Sequence, residues 1–343
     1  METEIIVISD VSEKEKIKKA ADVLRRGGLV AFPTETVYGL GANATDENAA
    51  KKIYAAKGRP SDNPLIIHVA DPADAEKYAV TSECYYRLAK AFMPGPLTVI
   101  LPKKETIPAS VTGGLDSVAV RCPQHPIANE IIRECGVAIA APSANISGSP
   151  SPTCAKHVIH DMTGRVDMIV DGGASEIGLE STIIKLDGNC ATLLRPGAIT
   201  CDALSCVCER VEISHAVTEE LAANEKPLSP GMKYRHYAPT SPLVLLDGDD
   251  DCVISFLRRA QNREHCTILC YDEEAELLRF ERLIPIGKRD DIAAQSAKLF
   301  SALREADTLD GDVIYAHLPK KEGLGLALYN RMIRAAAHTI KKV

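Results

Sequence analysis

The stretch VAIAAPSANISGSPSPT, residues 137–153, joins a short apolar run to a loop of small polar residues. The apolar run ends at Pro142 and has the length and composition of a buried strand. Similar runs recur through the first two hundred residues: LVAFPT, PLIIHV, LTVILP, SVAVRC, DMIVDGG, STIIKL and ATLLRPG. Helical spacing occurs between them, in IKKAADVLRRGG, DENAAKKIYAAKG, CYYRLAKAFM, IANEIIRECG and TCAKHVIHDMTG. Strands covered by helices predict an α/β fold, and the consecutive strands late in this region favour a mixed sheet.

The residues after Pro239 alternate strand and helix signals more regularly. PLVLLDG, CTILCYD, LIPIG and DVIYAHLP are strand-like, and four helix-like segments alternate with them, the last being LALYNRMIRAAAHTIKKV. This pattern predicts a small C-terminal parallel α/β domain of Rossmann-like type, although it has no Gly-rich phosphate loop. We place the first domain at 1–212, a linker at 213–240 and the second domain at 241–343.

Composition and charge narrow the class of protein. The 343 residues are 45% hydrophobic and 25% charged, as in ordinary globular proteins, and the formal net charge is -7. An acidic balance disfavours a general nucleic-acid or membrane-surface binder. The N-terminal residues are too polar for a signal peptide and no apolar run is long enough to span a membrane, so we expect a cytoplasmic protein.

The eleven cysteines do not suggest a disulfide framework, because their number is odd and no C-x-x-C pair occurs. Cys201, Cys206 and Cys208 cluster near His215, but their spacing fits no common zinc pattern. We interpret these cysteines as small buried hydrophobic residues on a helix rather than as a metal site.

The segment KGRPSDNPLIIHV, residues 57–69, carries two cations separated by one glycine. Pro60 favours an extended backbone at Arg59, which would project Lys57 and Arg59 to the same side. Two such cations suit a polyanion such as a triphosphate, whereas the alternative is an exposed turn with solvated charges. Asn63 and His68 follow at the two ends of NPLIIH, where a structural histidine is the alternative to a ligand contact.

The loop APSANISGSPSPT offers hydroxyl and amide groups, among them Ser143 and Ser151, directly after a strand. Such a loop can surround a phosphate or a ribose, and open α/β sheets bind ligands at strand ends. The alternative is a merely hydrophilic connection.

Further polar residues close or open apolar strands. Thr34 and Thr36 follow LVAF, Arg121 ends SVAVR, Arg195 ends ATLLR, and Ser181 and Thr182 open STII. Cations and hydroxyls repeated at strand ends indicate a pocket for an anionic, nucleotide-like ligand. The sequence has no G-x-S-x-G elbow, P-loop or zinc motif, so we expect chemistry without a covalent enzyme intermediate.

Taken in order, the motifs FPTETVYGLG, KGRPSDNPLIIHV, PGPLTVILP, VAVRCP, APSANISGSPSPT, GLESTII and LLRPG resemble the YrdC-like family. Together with SPGMKYRHYAP and a following small α/β domain, the chain resembles the long, two-domain form of that family. The resemblance implies a YrdC-like domain with a large twisted mixed sheet flanked by helices. It also implies a reaction in which L-threonine, bicarbonate or CO2, and ATP give threonylcarbamoyl-AMP and pyrophosphate. The product would pass to a tRNA threonylcarbamoyl-transfer complex for modification beside the anticodon; direct tRNA binding stays open.

The resemblance also implies roles for individual residues. Lys57 and Arg59 would be catalytic, with Lys57 on the phosphates. The expected ATP contacts are Lys57, Arg59, Asn63, Ser117, Ser143, Ser151, Arg195 and Tyr234. The expected L-threonine contacts are Thr36 or Thr34, His68, Arg121, the Ala141 backbone and Thr182, with Arg121 on the substrate carboxylate. Use of ATP implies Mg²⁺, although the sequence shows no protein ligand cluster for it.

The segment SPGMKYRHYAP, residues 229–239, is rich in cations and rings for a linker. Pro230 and Pro239 restrict its backbone, so we predict a lid over the nucleotide, with Tyr234 as a contact and Lys233, Arg235 or His236 assisting. The alternative is a rigid spacer whose aromatic residues pack between the domains.

Two other functions share the fold. One is a double-stranded RNA or tRNA-binding module, which needs a broad basic face that the charge balance disfavours. The other is a carbamoyl-transfer maturation domain, but such proteins carry zinc-finger and acylphosphatase-like segments that this sequence lacks.

Overall fold

The computed structural model describes residues 2–219 and 236–343, which divide into two compact units. The second unit contains the described residues from His236 to Val343, together with Gly148–Pro150 and Ile177–Leu179. The remaining described residues form the first unit. In the described ranges, no helix is long and apolar enough to cross a membrane.

The first unit is built on a large mixed sheet. Its strands are β1 (Glu4–Val7), β2 (Val30–Phe32), β3 (Gly39–Asn43), β4 (Ile66–His68), β5 (Leu97–Pro102), β6 (Ser117–Arg121), β7 (Ile139–Ala140), β8 (Met168–Asp171), β9 (Thr182–Asp187), β10 (Cys190–Arg195) and β11 (Arg210–Ile213). Within the described chain these eleven strands have the order β1-β8-β2-β3-β7-β4-β6-β5-β9-β10-β11. The pairs β4–β6 and β5–β9 are parallel, whereas β5–β6 and β9–β10 are antiparallel. The predicted mixed sheet is therefore confirmed.

Helices connect and cover these strands. They are α1 (Lys14–Arg25), α2 (Glu47–Lys57), α3 (Glu83–Phe92), α4 (Ala109–Thr112), α5 (Pro126–Cys135), α6 (Ala155–Met162) and α7 (Cys201–Ser205). Helices α1 and α5 bury apolar residues such as Ile17, Leu24 and Ile131 against Phe32 and Val170 of the sheet. Burial of each such side chain contributes about 1.5–3 kcal/mol, so this apolar layer stabilises the packing of α1 and α5 on the sheet.

The second unit has a five-stranded sheet of entirely parallel pairs, as the sequence predicts for its C-terminal part. Its strands are β12 (Leu243–Asp247), β13 (Cys266–Cys270), β14 (Leu283–Pro285), β15 (Val313–His317) and β16 (Ile340–Lys342), in the order β14-β13-β15-β12-β16. Its helices are α8 (Asp250–Ala260), α9 (Asp272–Leu278), α10 (Ile292–Ala306) and α11 (Gly325–Ala335). The parallel α/β prediction for this part of the chain is confirmed.

An ionic cluster is buried at the carboxyl ends of β13 and β15. Glu274, which is almost fully buried, accepts hydrogen bonds from Arg289 Nη2 at 2.7 Å and lies 3.0 Å from His317 Nε2. Tyr271 packs beside both, with ring contacts of 4.7 Å to the Arg289 guanidinium and to the His317 ring. The charges and hydrogen-bonding groups of this cluster satisfy one another.

Part of the segment SPGMKYRHYAP lies within the described residues. Tyr237 is buried in the second unit, where its ring stacks on Phe300 at 5.1 Å and faces the Arg331 guanidinium at 5.8 Å. This ring therefore belongs to the core of the second unit. Residues 229–235, including Lys233, Tyr234 and Arg235, lie outside the described residues, and the lid stays a prediction.

The structure differs from our expectation at the C-terminus, where we expected a helix to continue to Val343. Helix α11 ends at Ala335, and the positive φ angles of Ala337 and His338 turn the chain back. Residues Ile340–Lys342 then pair in parallel with β12. The sequence analysis also missed the short strands β1, β3 and β11. Strand β3 is rich in glycine and β11 alternates charged and apolar residues, whereas β1 holds a short apolar run between charged residues.

Candidate active site

Lys57 is the last residue of α2, and this corrects the expected extended segment. Asp46 caps the start of α2, while Gly58 adopts a left-handed conformation with φ 62° and ends it. Lys57 is 2% exposed, and its Nζ donates to the carbonyl oxygens of Ser143 and Asn145, both at 2.6 Å. The cation thus fixes the start of the Ser-rich loop against the helix end.

Arg59, Asn63 and Ser117 lie near that loop at one edge of the sheet. Arg59 Nη2 donates to the Pro64 carbonyl at 3.1 Å, and Asn63 is buried with Oδ1 lacking a hydrogen-bond partner in the described chain. Ile66 pairs with Ala119, so extending this register by two residues places Ser117 opposite Pro64. Ser143 bridges Gly39 near the same edge. These donors and acceptors can surround a phosphate or a nucleoside.

His68 and Arg121 form a second group near the other end of β6, about 13 Å from Ser117 along the strand. They pair directly across β4 and β6, and Thr98 pairs with Arg121 from β5. Partners across neighbouring strands share a face of the sheet. Ala141, two residues from the His68 partner Ile139, lies on that face as well. The two groups could hold two ligands in line.

His68 stays uncharged at ordinary pH. Burial, together with the nearby Arg121 guanidinium, lowers the pKa of His68 to about 3. Its Nδ1 lies 3.2 Å from the Ile66 carbonyl oxygen, and its ring meets Phe32 edge to face at 6.5 Å. His68 can therefore offer a neutral ring to a ligand but no positive charge.

Arg121 forms a buried ion pair with Glu35, a residue that the sequence analysis missed. Arg121 Nη2 donates to Glu35 Oε1 at 2.7 Å, and the residues are only 4% and 5% exposed. Glu35 Oε2 and Arg121 Nε are also buried and have no hydrogen-bond partner in the described part of the chain. The signal in the sequence was a single acid between two threonines in the otherwise uncharged stretch AFPTETVYGLG.

Thr34 and Thr36, on either side of Glu35, bond mainly within their own turn. Their hydroxyl oxygens lie 2.9 Å apart, and Thr34 Oγ1 donates to the Val37 carbonyl at 2.6 Å. Both threonines are buried, so they shape the turn that holds Glu35. The structure brings both close to the second group without distinguishing which would contact a ligand.

Arg195 extends the second group through Ser181 rather than through Thr182. Arg195 Nε donates to the Ser181 carbonyl at 3.1 Å, and Ser181 Oγ lies 2.8 Å from Thr98 Oγ1. The Thr182 hydroxyl instead donates to the Ile199 carbonyl at 2.8 Å and accepts from its N–H group. The sequence does not distinguish these adjacent hydroxyls, because they point to opposite sides of the chain where it enters β9.

Two further groups complete the description. Ser151 is buried, and its hydroxyl donates to Glu180 Oε1 at 2.5 Å.

Cys201 lies in α7, whereas Cys208 is buried beyond its end and Cys206 is exposed. Within the described ranges, no group of three His, Cys, Asp or Glu side chains is arranged to hold a metal ion. Tyr234 lies outside those ranges.

Two family models match this chain. Residues 22–197 match the Sua5_yciO_yrdC model, described as Telomere recombination. Residues 199–337 match the Sua5_C model, described as the C-terminal domain of threonylcarbamoyl-AMP synthase. The two matches adjoin in sequence, between β10 and β11 of the large sheet.

Curated relatives and solved structures agree with these matches. The chain is 45% identical over 324 residues to the threonylcarbamoyl-AMP synthase of Bacillus subtilis, covering 94% of this chain and 93% of the relative. It is 44% identical over 350 residues to that of Pyrococcus abyssi, covering 99% and 100%. The crystal structure of P. abyssi Sua5 complexed with L-threonine superposes with a TM-score of 0.91, at 44% identity and with 99% and 100% coverage.

Proposed function

Because the chain belongs to the Sua5_yciO_yrdC family and carries the Sua5 C-terminal domain, we propose that it is an enzyme that makes threonylcarbamoyl-AMP. Its substrates are L-threonine, bicarbonate or CO2, and ATP, and it releases pyrophosphate. The observation that carries this proposal is the match to threonylcarbamoyl-AMP synthases over nearly the whole of both chains. AMP passes from ATP to a carbamate oxygen, which makes the enzyme a nucleotidyltransferase.

The arrangement of the site supports this chemistry. The deprotonated amine of threonine adds to CO2 and loses one proton to form a carbamate. A carbamate oxygen then attacks the α-phosphate while pyrophosphate leaves. This sequence needs no enzyme nucleophile, so catalysis consists of positioning and charge stabilisation. We place the nucleotide at the edge formed by Arg59, Asn63, Ser117 and Ser143, and threonine beside His68 and Arg121. Lys57 orders the Ser-rich loop between them.

We also propose that Mg²⁺ accompanies the nucleotide. Phosphate and water oxygens are the ligands that Mg²⁺ prefers in nucleotide sites, where one or two protein carboxylates often suffice. Glu180 is a buried carboxylate that accepts a hydrogen bond from Ser151 of the Ser-rich loop. The metal would neutralise phosphate charge. The mixed anhydride would then pass to a tRNA threonylcarbamoyl-transfer complex.

Pyrophosphate release with each substrate omitted in turn tests the proposal. We expect release from ATP to require both L-threonine and bicarbonate. Serine should support it less well, because loss of one methyl group from an apolar contact costs about 1–3 kcal/mol. Equal release without threonine would exclude the synthase assignment.

A further inference from the structure

Building on the proposed function, we infer that Glu35 contacts the α-amino group of the substrate while Arg121 binds its α-carboxylate. The ion pair would then select α-amino acids over hydroxy acids that lack the amino group. This assigns Glu35 as a specificity-determining residue of the site.

The first observation is the incomplete pairing of two buried charges. The Arg121–Glu35 bond uses Nη2 and Oε1, and leaves the buried atoms Nε and Oε2 without partners in the described chain. A buried charged group that lacks a hydrogen bond costs more than 1–3 kcal/mol, so such atoms need an explanation. The Nε–H donor of the cation and the Oε2 acceptor of the anion could therefore bind a ligand.

The second observation is the charge pattern that these atoms present. An α-amino acid at neutral pH carries a carboxylate and an ammonium group on the same carbon atom. The Arg121 guanidinium and the Glu35 carboxylate lie 2.7 Å apart, and their charges are complementary to those of the amino acid. A zwitterion could satisfy both buried atoms at once, whereas a simple carboxylic acid could satisfy only Arg121.

The third observation concerns the histidines near the Glu35–Arg121 pair. His68 pairs with Arg121 across the sheet and is neutral. Burial lowers the pKa of His125, which interacts electrostatically with Glu35 and Glu176 and whose Nδ1 is buried without a partner in the described residues. The threonine hydroxyls beside Glu35 bond within their turn. Glu35 is the carboxylate that is ion-paired with Arg121, and this places it beside any carboxylate that Arg121 binds.

A binding comparison on the full chain tests this assignment. Calorimetric titration would use L-threonine and 3-hydroxybutanoate, which keeps the carboxylate and the hydroxyl but has hydrogen in place of the amine. We expect the unmodified protein to bind threonine at least tenfold more tightly. In Glu35→Gln, which keeps an oxygen for Arg121, threonine affinity should fall at least tenfold while that for 3-hydroxybutanoate stays within twofold.

Glu274→Gln is the matched control, because it also neutralises a buried, ion-paired glutamate but lies in the second unit. It should leave the preference for threonine unchanged. Equal weakening of both ligands in Glu35→Gln would overturn the proposal and leave Glu35 as a support for Arg121. Should that variant not fold, equal affinity of the unmodified protein for the two ligands would overturn it instead. Failure of the unmodified protein to bind threonine at all would count against the proposed function.

Discussion

At the scale of single residues, the candidate site is a set of buried polar groups that bond the backbone and one another. Lys57 bonds backbone carbonyls, Arg195 bonds Ser181, and Arg121 bonds Glu35. Long cationic side chains are rarely buried unless they are paired. Each of these contacts therefore fixes a loop or a strand end.

Removing one partner of the Arg121–Glu35 pair should destabilise the protein more than removing both. We expect Arg121→Ala to lower the free energy of unfolding by about 3–5 kcal/mol, because it leaves the buried Glu35 carboxylate uncompensated. The double variant Arg121→Met with Glu35→Leu should recover most of this loss. Urea denaturation measures both values, and a double variant less stable than Arg121→Ala would contradict the expectation.

The buried His68 should make stability fall on acidification. Its pKa is lowered from 6.5 to about 3 by burial and by Arg121, so between these values the unfolded chain binds a proton that the folded protein does not. Stability is therefore lost as pH falls from 6.5 towards 3, by at most about 1.4 kcal/mol per pH unit from this group. Urea unfolding of His68→Gln at several pH values should show a shallower loss; an unchanged slope would refute the assignment.

At the scale of elements, strand β3 shows how glycine permits the packing beneath the site. Strand β3 runs between β2 and β7, and the Phe32 ring from β2 lies over its glycines. A side chain at one of them would push against this ring, which itself contacts His68. The two glycines differ in the space around them.

Gly41→Ala should destabilise the protein, whereas Gly39→Ala should be tolerated. A methyl group at Gly41 would lie 2.6 Å from Phe32 Cε1 and 2.8 Å from Ile139 Cγ2, but one at Gly39 would lie 3.4 Å from the nearest atom, Ala141 Cβ. Overpacking of this kind costs about 1–3 kcal/mol. Thermal or urea unfolding of the two variants checks the difference, and equal stability would show that Phe32 moves freely.

At the scale of the whole molecule, the net charge of -7 bears on the RNA-binding alternative. Binding driven by phosphate contacts needs a broad basic face and weakens steeply with salt. We expect the full chain to bind unmodified tRNA no more tightly than about 10⁻⁶ M at physiological salt, within the range of non-specific binding. A gel-shift titration at two salt concentrations measures this, and tight binding that survives added salt would favour the alternative.

The sequence by itself determined the kind of fold and the motifs of the site. Apolar runs such as LTVILP and STIIKL are strands. Gly58 ends α2 and Gly136 ends α5. Local backbone preferences decide these features. The C-terminal parallel sheet followed from its regular alternation. Of the candidate residues, Asn63, Ser143, His68 and Arg121 all lie in the first unit near ends of strands or in the loops that follow α2 and β7.

Only the tertiary structure decided which of these groups meet. Glu35 and Arg121 are 86 residues apart, and their pairing depends on a turn folding back over strands that are distant in sequence. Arg195 bonds Ser181 rather than Thr182 because the two side chains leave the chain on opposite sides at the start of β9. Lys57 bonds the Ser-rich loop because the end of α2 packs against it. Local patterns are blind to such contacts, because the contacts arise from strand register and long-range packing.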